Sequence, residues 1–327
     1  MKEGKISYRV RLYAAGREIQ SEGERIMHWI HAFEIMCYLL TAVLVADIVA
    51  KKHWNELQVF FSGAFAGFVL ELGAVRFTEI YHYSQAFFVS IGSVPNQFPF
   101  FGGLMWGGVG VCALRIARKF HTKPLKTALL AGWLVVSMDL LLDVAAIRLD
   151  GGFWVWEGRP ITLAINHHMW MSVIWVNFLG YLFETPALVY FSLQNEKRPR
   201  GSFAREALRT IGITCAAVAV VAVGSWVFLY LDGVTDEWAS FVGFIALWSW
   251  ILGSLVRQLV RARGALSFGG PKDPVLLVFW LALYGYCLVA LSSLGVFRAR
   301  PGYALFAVLL FAFTLFLGAV RPEGADR

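Results

Sequence analysis

Two aspartates stand four positions apart in an otherwise apolar run, Asp139 and Asp143 in DLLLDVAAIRL. On a helix, side chains with this spacing lie on one face. Because a charged group in hydrocarbon costs roughly 2.5–3.5 kcal/mol, that face is expected to point into a helix bundle rather than toward lipid. Two close carboxyls disfavour double ionisation, so one keeps its proton beside an anion. General acid–base catalysis requires this combination of groups.

Two further polar residues are expected at the same depth as the aspartates. Glu71 stands in the apolar stretch FVLELGAVRF, and Asn177 stands in WVNFLGYLFE. Ionisable residues inside a membrane are functional by default, so we predict a layer of three carboxyls and one amide. Glu184 is expected about two turns deeper, where it serves packing or forms a hydrogen bond near the break at Pro186. The structural alternative is that Asp139 and Asp143 only hydrogen-bond neighbouring helices.

Aromatic residues in two loops are predicted to cap this layer. Tyr81 and Tyr83 follow the stretch that carries Glu71, and Trp154 and Trp156 follow the aspartates directly. Tyrosine and tryptophan are common at membrane interfaces, which is the ordinary explanation for them. Their π faces can also stabilise a cation, so a role in binding a cationic intermediate is the functional alternative.

The composition predicts the elements that must hold these residues. The chain has 327 residues, 58% hydrophobic and only 16% charged, with a mean hydropathy of +0.61. Soluble domains carry roughly a quarter charged residues. Apolar runs of roughly 20 residues, the length that crosses a bilayer, recur along the chain. We therefore predict an all-α, polytopic transmembrane bundle of nine spans, or eight if the first lies in the interface. The predicted spans are 29–50, 55–75, 98–117, 125–147, 168–193, 209–231, 238–260, 275–296 and 302–320.

The positions of the basic residues predict the orientation of the bundle. Lysine and arginine cluster in the loops after the third, fifth and seventh spans, which the positive-inside rule places in the cytoplasm. The basic segment 1–28 disagrees, because this topology places it outside. Residues 29–200 are expected to carry the site and 201–327 to form scaffold helices. The predicted location is the inner (cytoplasmic) membrane. These anchors account for the net charge of +7, so no nucleic-acid partner is predicted.

A series of short motifs resembles a known family. The motifs are E-L-G at 71–73, Y-x-Y at 81–83, V-P at 94–95, the aspartate helix at 139–143, W-x-W at 154–156 and N-F-L-G plus an aromatic at 177–181. Over about residues 65–190 their order and spacing resemble the membrane-integral carotenoid hydratases of the CruF type. Members of that family are multi-span proteins that add water to a terminal double bond of a linear carotenoid without any known redox cofactor. The chain departs from the family pattern at VRFTEI before Y-x-Y and at Val144, where a proline is usual. It also has the longer segment ITLAINHHMWMSVIW between W-x-W and the asparagine, where a shorter one with a Val-Pro step is usual. The three departures bear on the identity of the substrate more than on membership.

The resemblance implies a cofactor-independent hydro-lyase that acts on a lipid-soluble polyene and water in the bilayer, with other carotenoid enzymes as partners. Asp139 or Asp143 would protonate the alkene, Glu71 would activate water as the base, and Asn177 would position that water. Tyr81, Tyr83, Trp154 and Trp156 would contact the substrate.

Several alternatives stay open at this point. A membrane terpenoid cyclase starts with the same protonation, a proton-coupled carrier would use the acids as a relay, and a pigment-binding protein would need only the aromatics. Metal-dependent oxidation is not favoured, because the chain has only a single His28-x-x-His31 and an isolated His167-His168 pair. Since no Gly-rich nucleotide fingerprint occurs, neither a metal nor a cofactor is predicted.

Overall fold

Long helices make up the architecture, and two long connecting segments, 80–99 and 147–174, lie between them. The computed structural model describes residues 28–78, 80–120, 122–262, 266–267 and 272–322, so the predicted N-terminal segment lies outside the described residues except for His28. A four-residue helix, α9 (Val296–Ala299), lies between the last two long helices of the chain. The long helices are α1 (Trp29–Ala50), α2 (Trp54–Phe77), α3 (Phe100–Arg118), α4 (Pro124–Ala146), α5 (Trp175–Glu196), α6 (Phe203–Thr235), α7 (Trp238–Ala262), α8 (Pro274–Ser293) and α10 (Pro301–Ala319).

Eight of the described helices are long and apolar enough to cross a membrane, which confirms the predicted all-α multi-pass bundle. The first helix, α1, whose placement the sequence left open, is one of these eight spans. Among the long helices of the described residues, α5 is not one of them. With 22 residues α5 is as long as α1, but Asn177, Glu184 and Thr185 interrupt its apolar character. It nevertheless packs closely against α4 and α6.

The central helix of the bundle is α4, which carries both aspartates. Between residues 127 and 147 only Leu129 and Leu142 are not fully buried, because α3, α5, α7, α8 and α10 all pack around this helix. A helix that is apolar on every side is typical of such a position. Gly132 allows the closest approach of α5, since a Cβ there would lie 2.5 Å from the Pro186 ring. This contact holds α5 directly beside the aspartate helix.

The predicted start of the fifth span is wrong. Residues 168–174 do not begin a helix but include two short strands, β5 (Met169–Trp170) and β6 (Val173–Ile174), which pair antiparallel. The Asn166 side chain accepts the backbone N–H groups of His168 at 3.0 Å and Met169 at 3.1 Å. Such side-chain hydrogen bonds compete with helix formation, so the helix begins only at Trp175.

Charged side chains hold together the end of the bundle opposite the aspartates. The Arg115 guanidinium of α3 binds Asp47 of α1 at 2.9 Å, Glu56 of α2 at 2.8 Å and Asp273, the residue before α8, at 3.0 Å. A buried guanidinium requires such partners. At the same end β7 (Leu266–Ser267) pairs with β8 (Arg321–Pro322).

Candidate active site

A cavity of about 100 Å³ lies among α2, α3, α4 and α5 under the loops at one end of the bundle. By this measure a single water needs roughly 10–15 Å³, so the cavity has room for several waters or for the end of an apolar ligand. We call it the acidic cavity. All eight residues that the sequence singled out line it, namely Glu71, Tyr81, Tyr83, Asp139, Asp143, Trp154, Trp156 and Asn177.

The two aspartates differ in their hydrogen bonds. Asp143 Oδ2 accepts a hydrogen bond from Asn177 Nδ2 at 2.5 Å, which links α4 to α5. Asp139 is only 1% exposed, and its Oδ2 has no hydrogen-bond partner among the described residues. An amide N–H that donates to a carboxylate stabilises its charged form. The arrangement therefore suits an anion at Asp143 and a proton on Asp139, the carboxyl with the free oxygen.

Glu71 of α2 accepts two phenol hydrogen bonds at the same oxygen. Tyr81 and Tyr83 both donate to Glu71 Oε2, and the bond from Tyr83 is 2.8 Å long. Burial, together with the neighbouring Glu71 carboxylate, raises the pKa of both phenols well above the ordinary value for tyrosine. The two tyrosines therefore stay protonated and act as donors. Glu71 is held as an acceptor, the state in which a carboxylate can serve as a base.

A short antiparallel ladder explains the spacing of the aromatic motifs. Strand β1 (Tyr81–Tyr83) pairs with β4 (Trp154–Trp156) so that Tyr81 is opposite Trp156 and Tyr83 is opposite Trp154. Alternate residues of a strand point to the same side, so all four rings face the acidic cavity. The Tyr81 and Trp156 rings are 5.0 Å apart and the Tyr83 and Trp154 rings 5.9 Å apart. His82, between the tyrosines, binds Glu157 outside the cavity at 2.5 Å.

The turn after α4 brings β4 back over the aspartates. Gly152 has a φ of +105°, a conformation that favours glycine, and it reverses the chain direction there. Asp150 Oδ2 accepts the backbone N–H of Ile30 at 2.8 Å and so ties this turn to the start of α1. The Arg148 guanidinium donates to the backbone carbonyls of Val144, Thr162 and Met171. Because burial removes Arg148 from water, its pKa is lowered from the ordinary value.

Glu34 of α1, which the sequence did not place, fixes over the cavity the loop that contains the paired strands β2 (Ser90–Ile91) and β3 (Phe98–Pro99). Its carboxylate is fully buried and accepts the backbone N–H groups of Phe88 at 2.7 Å and Val89 at 3.1 Å. Buried backbone donors need such acceptors. This acid therefore has a structural role in holding the loop that closes the site.

Sequence reasoning missed part of the lining. Tyr181 lies one turn after Asn177 on α5 and interacts with Asp139, and its ring stacks on Trp106 of α3 at 4.7 Å. The helical spacing from Asn177 could have identified Tyr181, but no local signal identified Trp106. Leu283 of α8 also lines the cavity, so the C-terminal helices contribute to its wall.

The electrostatics of the acidic cavity are unusual for a buried site. Three carboxyl groups line it, whereas none of the described lining residues is lysine, arginine or histidine. Without a cation, carboxylates this close in a low dielectric cannot all be ionised, so we expect at least one proton to be shared among them. The arrangement can therefore donate a proton at one carboxyl and accept one at another.

The histidine pair lies elsewhere. His167 and His168 form a cluster with Asp236 in which the possible ligand atoms lie within 4.8 Å of one another. Asp236 is largely exposed, and His167 stacks on the Trp238 ring at 4.4 Å. The cluster does not touch the acidic cavity.

No family model, curated protein or solved structure matches this chain. The likeness to carotenoid hydratases therefore rests on the sequence motifs alone.

Proposed function

We propose that the chain is a carotenoid hydratase that adds water across a terminal double bond of a linear carotenoid by acid–base catalysis. The observation that supports this proposal most is the pair Asp139 and Asp143 facing Glu71 across a small aromatic cavity inside the membrane. The motif resemblance points to the same reaction, and no cofactor is required for it. The proposed location is the inner (cytoplasmic) membrane, as the positive-inside rule indicates.

The proposed reaction begins with proton transfer from Asp139. Its O–H bond breaks, and the π electrons of the alkene form a new C–H bond to this proton at the less substituted carbon. The other alkene carbon is then a tertiary carbocation, and Asp139 is left as a carboxylate. The rings of Trp154 and Tyr83 are placed to stabilise that cation through their π faces. Asp143, held by Asn177, supplies negative charge beside it.

Water then attacks the cation to form the C–O bond. Glu71 takes the proton that this water loses, and the product is a tertiary alcohol. Proton transfer from Glu71 back to Asp139, through water in the cavity, restores the starting state. The overall reaction consumes one alkene and one water, and no electrons are gained or lost.

Expression in a host that accumulates lycopene, followed by mass analysis of the pigments, tests the proposal. A product heavier by one water is the expected result. An isomer of unchanged mass would instead identify a cyclase, in which a second alkene rather than water captures the cation. Unchanged lycopene, with the protein folded in the membrane, would contradict both enzymes and favour a carrier or pigment-binding protein.

A further inference from the structure

A groove of about 420 Å³ adjoins the acidic cavity between α2, α5 and α6. We call it the side groove. The groove and the cavity adjoin each other, because six residues line both of them, namely Glu71, Tyr81, Trp106, Trp156, Asn177 and Tyr181. The stacked Trp106 and Tyr181 rings lie at this boundary.

The side groove reaches the surface that the helices present to lipid. Val69 of α2 and Trp226 and Leu229 of α6 line it and are 53%, 69% and 44% exposed. Apolar side chains this exposed on membrane-spanning helices face hydrocarbon. Glu184, expected from sequence to serve packing, also lines the groove, where it is buried with Oε1 unpaired among the described residues.

Size separates the roles of the two spaces. The acidic cavity, at about 100 Å³, holds only the end of a long linear molecule, and the remainder must leave through a continuous opening. The side groove is the adjoining space with the larger volume, and it reaches the lipid-facing surface, where an apolar molecule would enter from the bilayer.

We infer that the side groove binds the apolar chain of a linear isoprenoid substrate and admits it sideways from the bilayer, so that one chain end reaches the acidic cavity. This inference rests on the proposed function for the identity of the substrate. The side groove then selects the chain length of the substrate, separately from the chemistry at the carboxyls.

Two glycines make the inference testable without disturbing the protein. Gly73 on α2 and Gly180 on α5 both line the side groove. A Cβ at Gly73 would meet nothing within 4 Å, and one at Gly180 would meet only Ser225 Oγ at 3.9 Å. Leucine at either position therefore projects into the groove rather than into a neighbouring helix. Gly212 on α6 provides the matched control, because its Cβ also meets nothing within 4 Å and it does not line the groove.

The experiment compares Gly73→Leu, Gly180→Leu and Gly212→Leu on two substrates. One is a linear carotenoid, and the other is a short acyclic terpene with the same terminal double bond. If leucine displaces about two methylenes of bound chain, carotenoid conversion falls by about tenfold in both groove variants. Conversion of the short terpene, and both activities of Gly212→Leu, are expected to match the wild type.

A binding measurement keeps this test independent of turnover. A linear carotenoid with a short conjugated segment absorbs in the near ultraviolet, where tryptophan emits, so its quenching of protein fluorescence in detergent reports chain binding. Weaker quenching in Gly180→Leu than in Gly212→Leu supports chain binding in the side groove, whether or not the wild type hydrates either substrate. Absence of hydration by the wild type would refute only the proposed function. Equal carotenoid conversion and equal quenching in the groove variants and the control would refute the groove.

Discussion

The isosteric replacement of each central aspartate tests the acid–base chemistry most directly. Asparagine keeps the size of aspartate and can still hydrogen-bond, but it cannot donate an acidic proton or accept one as a base. Asp139 Oδ2 has no partner among the described residues, so Asp139→Asn breaks no hydrogen bond that this oxygen makes to them. In Asp143→Asn the new amide oxygen can still accept from Asn177 Nδ2. Both variants are therefore expected to insert and fold.

The expected loss of activity is much larger than the expected change in stability. Removal of a general acid, as in Asp139→Asn, typically costs about 10²–10⁴-fold in rate, and removal of the Asp143 charge that stabilises the cation is expected to cost about 10²–10³-fold. This corresponds to about 3–5 kcal/mol of transition-state stabilisation. By contrast, replacing the Asp143 carboxylate by an amide removes the desolvation cost of a charge, and Asp139→Asn exchanges one neutral group for another, so the melting temperature in detergent should stay equal or rise.

The assay is pigment conversion per unit of folded, membrane-extracted protein. Asp232→Asn is the control, because Asp232 is a buried aspartate outside the cavity whose Oδ1 accepts the backbone N–H of Ser240 at 2.8 Å. An asparagine oxygen can make the same bond, so this variant should keep wild-type conversion. Near wild-type conversion in both Asp139→Asn and Asp143→Asn would show that the carboxyl layer is structural and that the mechanism is wrong.

Two more predictions concern the residues that position the carboxyls. Tyr81→Phe combined with Tyr83→Phe removes both phenol donors to Glu71 Oε2. Because a hydrogen bond to a charged group is worth about 1.5–3 kcal/mol, turnover should fall by at least about tenfold. Carotenoid binding, measured by fluorescence quenching, should persist. Unchanged turnover would exclude Glu71 as a held base. Gly132→Ala places a methyl group against the proline ring of α5, so the free energy of unfolding should fall by about 1–3 kcal/mol, as is typical of overpacking, and the melting temperature should fall with it. Gly253→Ala, whose Cβ meets nothing within 4 Å, should melt like the wild type.

The sequence by itself determined the helices and the shared faces of their polar residues. Runs of roughly 20 apolar residues must form helices in lipid, because each helix satisfies its own backbone hydrogen bonds. The four-residue spacing of Asp139 and Asp143 places both side chains on one face wherever the helix lies. The alternation in Y-x-Y and W-x-W likewise gives each pair of aromatic residues a common side once the segments are extended.

Only the tertiary structure decided which of these faces meet. The pairing of Tyr81 with Trp156 joins segments far apart in the chain, and the Gly132 contact that holds α5 beside α4 depends on the shape of a partner helix. The late start of the fifth long helix is explained by Asn166, whose side chain accepts backbone N–H groups of residues 168 and 169, where strands β5 and β6 form instead of a helix. The periodicity of a segment predicts the conformation of that segment alone. Which helices are neighbours, which strand residues pair and where cavities form depend on contacts between segments. The side groove, formed by α2, α5 and α6 together, therefore had no signal in any one of them.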